Sequence, residues 1–464
     1  MSGRSLETDY LIVGCGAAGM AFADSLIAAS DAQVVMVDRR HTPGGHWNDG
    51  YPFLRLHQPS AYYGVNSMPL GGDAIDRQGW NEGLYERAGG AEICGYYDRV
   101  MQQRLLPSGR VRYFPMCEYQ GENRFVSRLS GERFEVKVKN ALVDATYLEP
   151  SIPANSPPPF EVAAGARCVP VNALPKMAPQ AKGYTIVGAG KTAIDACLWL
   201  LETGVPPGRI RWIKPREAWL TNRKFLQSGE MVGSLLEGLS LQLEAAAQAG
   251  SLDDLFARLE AAEQILRIGR EATPTKYNGA TVTAAEIAAL NRIEDIVRLG
   301  HVRRLERDAI VLDAGTVPTS PDILHVHCAA RGLNPAPAVP IFASGRITLQ
   351  PIRPGLIPFN AAMAGFVEAT RGEDAPAKNR LCPVNPLPHD PIDWVRGTLI
   401  GMNADYLWSK EPDIAAWLEG ARLNLSRGLR NRMGEPQVQA ASKRYAENAR
   451  PGLAKLAQFA AAPR

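Results

Sequence analysis

The chain has no Cys-x-x-Cys pair. Its seven cysteines are scattered, and the nearest two, Cys94 and Cys117, stand 23 residues apart. That spacing writes neither a local redox dithiol nor a zinc knuckle. An odd number of thiols suits a reducing compartment, where they serve as small buried hydrophobes. No apolar run reaches the ~18 residues that a membrane-spanning helix needs. Met1 to Tyr10 is polar and lacks the apolar stretch of a secretory leader. A net charge of +3 over 464 residues gives no case for a nucleic-acid or anionic-membrane partner. No Gly-x-Ser-x-Gly occurs, so a hydrolase nucleophile is unsupported. His325 and His327 are two apart on an expected strand and share a face, but no third ligand is legible, so packing is expected there and not a metal site. With 45% hydrophobic and 21% charged residues, what remains is a cytoplasmic globular protein of about three domains.

Glycine is present where it matters. Gly190-Lys191-Thr192 looks like the end of a Walker A loop, but that motif places a glycine five residues before Gly190, and here the residue is Thr185. The same residues also read as Gly188-x-Gly190-x-x-Ala193, between the apolar run Tyr184–Val187 and the helix-like Ala193–Leu201. That strand–turn–helix setting is the one a dinucleotide fingerprint requires.

A better copy lies near the start. Leu11-Ile12-Val13 reads as a buried parallel strand, Gly14-Cys15-Gly16-Ala17-Ala18-Gly19 follows, and Met20–Leu26 reads as a helix. Gly14 permits the tight turn, Gly16 lets backbone approach a pyrophosphate, and Gly19 lets helix and strand pack closely. The unpaired N–H groups of the helix start then face phosphate. A second strand, Val34–Val37, ends in Asp38, an acceptor suited to a ribose diol. In the second unit the matching strand Ile210–Ile213 ends in Lys214, with Arg216 two residues on. Cations there suit a 2′-phosphate, although a solvated surface pair would look the same in sequence. Two dinucleotide sites imply two dinucleotides, a resident FAD and an exchanging NADPH. Lys191 and Thr192 therefore start the helix of a nicotinamide site.

From Asp38 the chain reads DRRHTPGGHWNDGYPFLRLHQPSAYYG. With the acid, Gly44-Gly45-His46-Trp47 and Tyr51-Pro52 in that order, it resembles the class B flavin monooxygenases. The likeness runs over roughly residues 8 to 375. Asp144-Ala145-Thr146-Tyr147 with Pro150 and Pro153, and His327-Cys328-Ala329-Ala330 with Pro335, look like that family's strand ends where the chain leaves and re-enters the FAD domain. The resemblance implies that NADPH reduces FAD, that O2 adds to the reduced flavin as a C4a-adduct, and that bound NADP+ shields the adduct from water. It also departs from the family. Phe160–Arg167 keeps a Phe and a later Gly of the F-x-G-x-x-x-H motif but no histidine. His57 stands where the Baeyer–Villiger enzymes carry an aspartate.

The resemblance places Trp47, Arg55, His57 and Gln58 beneath the flavin ring. His57, Arg55 and Gln58 are the candidate catalytic residues, with His57 able to donate a hydrogen bond near neutrality; a histidine packed at a domain seam, and a Trp47 that merely packs, are the alternatives. Gly14, Gly16, Gly19, Asp38, Arg39, Gly45 and Trp47 are the expected FAD contacts, joined by the returning segment Gln350 to Asn360. Gly188, Gly190, Lys191, Thr192, Lys214 and Arg216 are those for NADPH.

The expected fold is α/β, with two Rossmann-type domains, the second inserted in the first, and a helical C-terminal extension. Residues 1–155 and 336–380 would form the FAD-binding domain, and 156–335 the NADPH-binding domain, after the stiff linker Asn155–Phe160. A helical insertion is expected at 226–270, where Ser251–Asp254 resembles a capping box and Leu252, Leu255, Phe256 and Leu259 form a stripe. It would cover the site or simply pack on the domain. Residues 381–464 carry a helix with Ile414, Trp417, Leu418 and Ala421 on one face, as lid, dimer contact or scaffold. The expected activity is oxygenation of a small organic substrate at nitrogen, sulfur or a carbonyl. An NADPH-dependent reductase without oxygenation and a non-catalytic nucleotide-binding regulator are the alternatives.

Overall fold

The structure is a computed structural model that describes residues 4–462 apart from 331, 334, 335 and 373. Pro335, the expected end of the inserted unit, lies outside the described residues. Two sheets organise the molecule, the first mainly parallel and the second wholly so. In the first, the strands run Phe342–Ala343, Arg346–Thr348, Arg133–Asp144, Arg4–Val13, Val34–Val37 and Val111–Phe114. A hairpin, Cys117–Gly121 and Arg124–Ser127, joins it through Arg133–Asp144. Side chains alternate across a strand, and both faces here are covered. Tyr10, Ile12, Val34 and Met36 enter one core with the helices Ala17–Ala29 and Ile357–Thr370, while Leu11, Val35 and Val37 enter another with Phe125 and Phe134. Burial on both faces is why these strands read as continuous apolar runs.

The second sheet is wholly parallel, in the order Asp295–Val297, Ile210–Ile213, Gly183–Val187, Ile323–His327 and Cys168–Pro170. All its strands lie, in sequence, between the Arg133–Asp144 strand and the Arg346–Thr348 strand that pairs with it in the first sheet. The second Rossmann unit is thus inserted in the first.

Between Ile213 and Asp295 the chain leaves the second sheet. It forms a three-stranded sheet, Ile265–Leu266, Ala218–Asn222 and Lys276–Val282, with the helices Val232–Gln248, Leu252–Ala261 and Ala284–Leu290. Ser251 caps its helix by accepting the Asp254 N–H at 3.1 Å, and Leu255, Phe256 and Leu259 are buried. The insertion is wider than the helical stretch 226–270, because two of its strands, Ala218–Asn222 and Lys276–Val282, lie outside that stretch, one on each side. Short strands with few turn signals hide easily in a sequence.

The C-terminal region is helical. Pro391–Trp408 places Trp408 against Phe359 of the first unit and Trp394 against Phe256 of the insertion. Pro436–Ala461 lies along Val232–Gln248, where Gly452 lets its backbone approach Leu243; a Cβ there would fall 2.6 Å from the Leu243 carbonyl oxygen. Pro412–Gly420 buries Ile414 and stacks Trp417 on Phe366 at 5.0 Å. The extension therefore touches both units. Among the described residues, no helix is long and apolar enough to cross a membrane.

Candidate active site at the seam of two nucleotide-binding units

Each glycine loop leaves the carboxyl end of a parallel strand and enters a helix whose first N–H groups have no side-chain cap. In the first loop Gly14 has φ +99°, and a Cβ on Gly19 would lie 2.0 Å from the Gly14 carbonyl oxygen. Only glycine meets both conditions. Asp38 holds the loop: its carboxylate accepts the N–H of Cys15 at 2.6 Å and of Arg40 at 2.8 Å. A carboxylate has about four acceptor sites, so two remain for a ligand hydroxyl. The Gly44-Gly45 turn seats directly on this loop, with Gly44 N–H donating to Cys15 O at 2.9 Å and Gly45 against Gly16. Arg39 instead pairs with Glu149 at the surface.

Trp47 Nε1 and Gln58 Oε1 are buried without a protein partner. Unpaired buried polar atoms on the segment that follows the first glycine loop fit a bound planar polar ring. Gln350 and Asn360 differ from expectation. Gln350 Nε2 donates to Val339 O at 2.6 Å, and Asn360 bonds the Arg353 backbone in both directions at 2.8 Å. Their amides are spent in shaping the returning segment.

In the second loop Gly188 has φ +133° and presses on the Cys328 carbonyl. Trp212 Nε1 donates to Gly188 O at 2.7 Å. Gly190 precedes the helix Lys191–Glu202, leaving the backbone N–H groups of Lys191 and Thr192 in its first turn. The Lys191 ammonium turns away from that end, onto Asp195 one turn later. Lys214 is buried against Glu217 at 2.5 Å, and Arg216 is exposed.

The Tyr51–Tyr63 segment carries the first unit into contact with the second. Tyr51 Oη donates to Asp195 at 2.5 Å, and Phe53 stacks on Trp199 at 5.0 Å. Arg223, fully buried, donates to His57 O at 2.7 Å, Asn81 Oδ1 at 3.0 Å, Thr281 O at 3.1 Å and Glu286 at 3.0 Å. Glu286 also pairs with Arg87 at 3.3 Å and closes a capping box with Thr283. Arg55 is exposed and reaches Arg87 O at 3.4 Å.

The electrostatics follow from this crowding. Burial, then the charges of Lys191, Arg223 and Arg87, push His57 well below its ordinary value. Burial, then Arg223, lowers Arg87 to about 10. Burial alone would raise Glu286, but Arg223, Arg87 and Lys191 outweigh it and hold the carboxyl low. Burial raises Tyr63 to about 12 against the opposing His57 backbone; its ring meets Trp47 edge-on at 6.4 Å. His57 is thus a neutral imidazole in a field of cations, and Tyr63 a neutral phenol beside it.

Tyr63, Arg87, Asp195, Arg223 and Glu286 belong to this site although the sequence alone did not single them out. The Thr283-x-x-Glu286 spacing is a capping-box signal that could have marked a helix start; its arginine partners are distant in the chain. His325 and His327 are engaged locally: His325 bonds Thr319 Oγ1 at 2.9 Å, and the Ala329 N–H donates to His327 at 3.3 Å.

Two Rossmann units, one nested in the other, with glycine loops at the carboxyl ends of both sheets, define a fold built on two dinucleotide-binding units. A family profile described as NAD(P)-binding Rossmann-like domain matches residues 12–69. Uncharacterized proteins of Mycobacterium tuberculosis and Mycobacterium bovis are each 49% identical over 423 residues, which is 91% of this chain and 78% of theirs. The chain belongs to the family of these mycobacterial proteins. The fold is also similar to that of a polycyclic ketone monooxygenase from the thermophilic fungus Thermothelomyces thermophila, with a TM-score of 0.51 at 12% identity, over 97% of this chain and 90% of that one.

Proposed function

We propose that the protein is an FAD- and NADPH-dependent oxidoreductase that oxygenates a small organic substrate at nitrogen, sulfur or a carbonyl. The supporting observation is the seam itself: the segment after the first glycine loop, Tyr51 to Tyr63, meets the first helix of the second loop through Tyr51 and Asp195. Residues 1–155 and 336–380 hold FAD in this reading, and 156–335 hold NADPH. Held by Gly14, Gly16, Gly19 and Asp38, FAD would supply the redox chemistry that side chains lack, between a nicotinamide hydride and O2.

The chain's own residues supply the setting. Gly14, Gly16, Gly19 and Asp38 hold one dinucleotide, and Gly188, Gly190 and the N–H groups of Lys191 and Thr192 hold the other. His57 stays neutral, so it can donate from one ring nitrogen and accept at the other without a change of charge. Arg87, Arg223 and Lys191 favour negative charge developing nearby. Gln58 and Trp47 offer polar atoms with no protein partner, and the packed aromatic wall of Tyr51, Phe53 and Trp199 excludes water.

A second reading, NADPH-driven reduction without oxygenation, is favoured by one observation. Phe160 packs edge-on to His327 at 5.8 Å, and no histidine closes the Phe160–Arg167 motif. Anaerobic reduction of the purified protein with NADPH, then mixing with oxygenated buffer in a stopped-flow spectrometer, tests the two. A long-lived absorbing species before the oxidised spectrum returns supports oxygenation. Direct return both with and without candidate amines, thiols and ketones supports the reductase. No reduction by NADPH or NADH removes both.

A further inference from the structure

The cation at the end of the second unit's strand is not placed as its sequence position suggests. Lys214 and Arg298 leave neighbouring strands side by side, because Ile213 and Val297 are register partners and Lys214 N–H donates to Val297 O at 3.0 Å. Lys214 is only 3% exposed. Its ammonium lies 4.8 Å from the Trp212 ring centre, whose Nε1 holds the Gly188 carbonyl, so the cluster adjoins the glycine loop. Glu217 takes both cations, Lys214 at 2.5 Å and Arg298 at 2.9 Å. Arg298 also reaches Glu271 at 3.2 Å. Arg298 is 29% exposed and Glu271 67%.

We propose that Arg298, with Arg216, reads the 2′-phosphate of the dinucleotide, while Lys214 acts indirectly by neutralising Glu217. The inference rests on reading the second glycine loop as a nicotinamide-dinucleotide site. For Lys214 to bind phosphate it must leave Glu217, and parting a buried pair strands two charges away from water. Arg298 can keep its Nε on Glu217 at 2.9 Å and release only the nitrogen that meets Glu271. Its bond to Glu271 is a solvent-screened surface pair, worth little. A phosphate offers the guanidinium two oxygens in the geometry it prefers. Glu217 stays on Lys214 throughout, so its charge is cancelled and does not repel the incoming phosphate.

The test is equilibrium titration of the FAD-loaded protein with NADP+, NAD+ and 2′,5′-ADP, followed by calorimetry. R298Q is expected to weaken NADP+ and 2′,5′-ADP by about tenfold to a hundredfold, the scale of a lost charge-assisted contact, with NAD+ little changed. E271Q removes the competitor at an exposed position and is expected to tighten NADP+ by roughly twofold to fivefold, with NAD+ unchanged. If R298Q weakens NADP+ and NAD+ equally, or neither, the proposal is overturned while the dinucleotide site stands. If the unsubstituted protein binds none of the three, the reading of the second loop falls and the proposal with it.

Discussion

Arg223 Nε donates to the main-chain oxygen of His57 at 2.7 Å, across 166 residues of sequence and from the second unit to the first. The same guanidinium spends its other nitrogens on Asn81, Thr281 and Glu286, and no part of it is exposed. It ties the candidate catalytic segment to the second unit. R223M would leave Glu286 with Arg87 alone and three buried acceptors unpaired. The expected loss is about 3–5 kcal/mol of stability, the cost of breaking a buried pair. R223K should not restore it, since an ammonium cannot fork to so many acceptors. Urea midpoints decide this, and a loss under about 1 kcal/mol would show that the seam is not held here.

His57→Ala should slow flavin turnover while FAD stays bound. The imidazole is neutral in the folded protein because burial and three neighbouring cations depress it well below its usual range. The turnover of the unsubstituted protein should therefore show no limb near pH 6.5 that vanishes in the variant. Steady-state rates with H57A equal to those of the parent would remove the role, and a limb near pH 6.5 that the substitution abolishes would mean that His57 titrates.

The glycine loops were legible because their physics is local: a strand, a turn that only glycine allows, and a helix start, all within about 20 residues. The alternating burial of Leu11 and Ile12 follows from the same short stretch. The seam was not legible. His57, Arg87, Arg223 and Glu286 come from four separated segments, and nothing near Arg223 in sequence marks it as buried. Lys214 was visible as a cation after the strand, but Glu217, three residues on, turns it inward. Gln350 and Asn360 sit on the returning segment as expected, yet their amides bond backbone, a choice that depends on the fold of the turn.

Gly19→Ala tests the first loop. Its new Cβ would meet the Gly14 carbonyl oxygen at 2.0 Å, so the helix must move off the strand and its first N–H groups off the phosphate position. The purified variant should lose most of its bound flavin absorbance. Gly434→Ala, where an added Cβ meets nothing within 4 Å, is the control and should stay fully loaded. A yellow G19A protein would mean that FAD is held elsewhere.

Four histidines should make the fold acid-sensitive, His327 among them, lowered mainly by burial. Burial, then Arg40, lowers His46 to about 4; burial is also the main cause that lowers His325 to about 4; and His57 is lower than its ordinary value for the reasons above. In the unfolded chain each titrates near ~6.5. Between about 6.5 and 4 the unfolded state binds protons that the folded state refuses, so stability rises with pH there. It is complete above about 6.5 and is lost as pH falls toward 4, by up to about 1.4 kcal/mol per pH unit for each histidine. The depressed Glu286 carboxyl adds its own loss mainly below about 4.5, at the foot of this window. Urea midpoints at pH 7.5, 6 and 5 should fall in order, and H325Q should flatten the slope by about one histidine's share. Equal midpoints across those three values would mean that the buried histidines take up protons in the folded protein, and that the cations around His57 are farther from it than this packing places them.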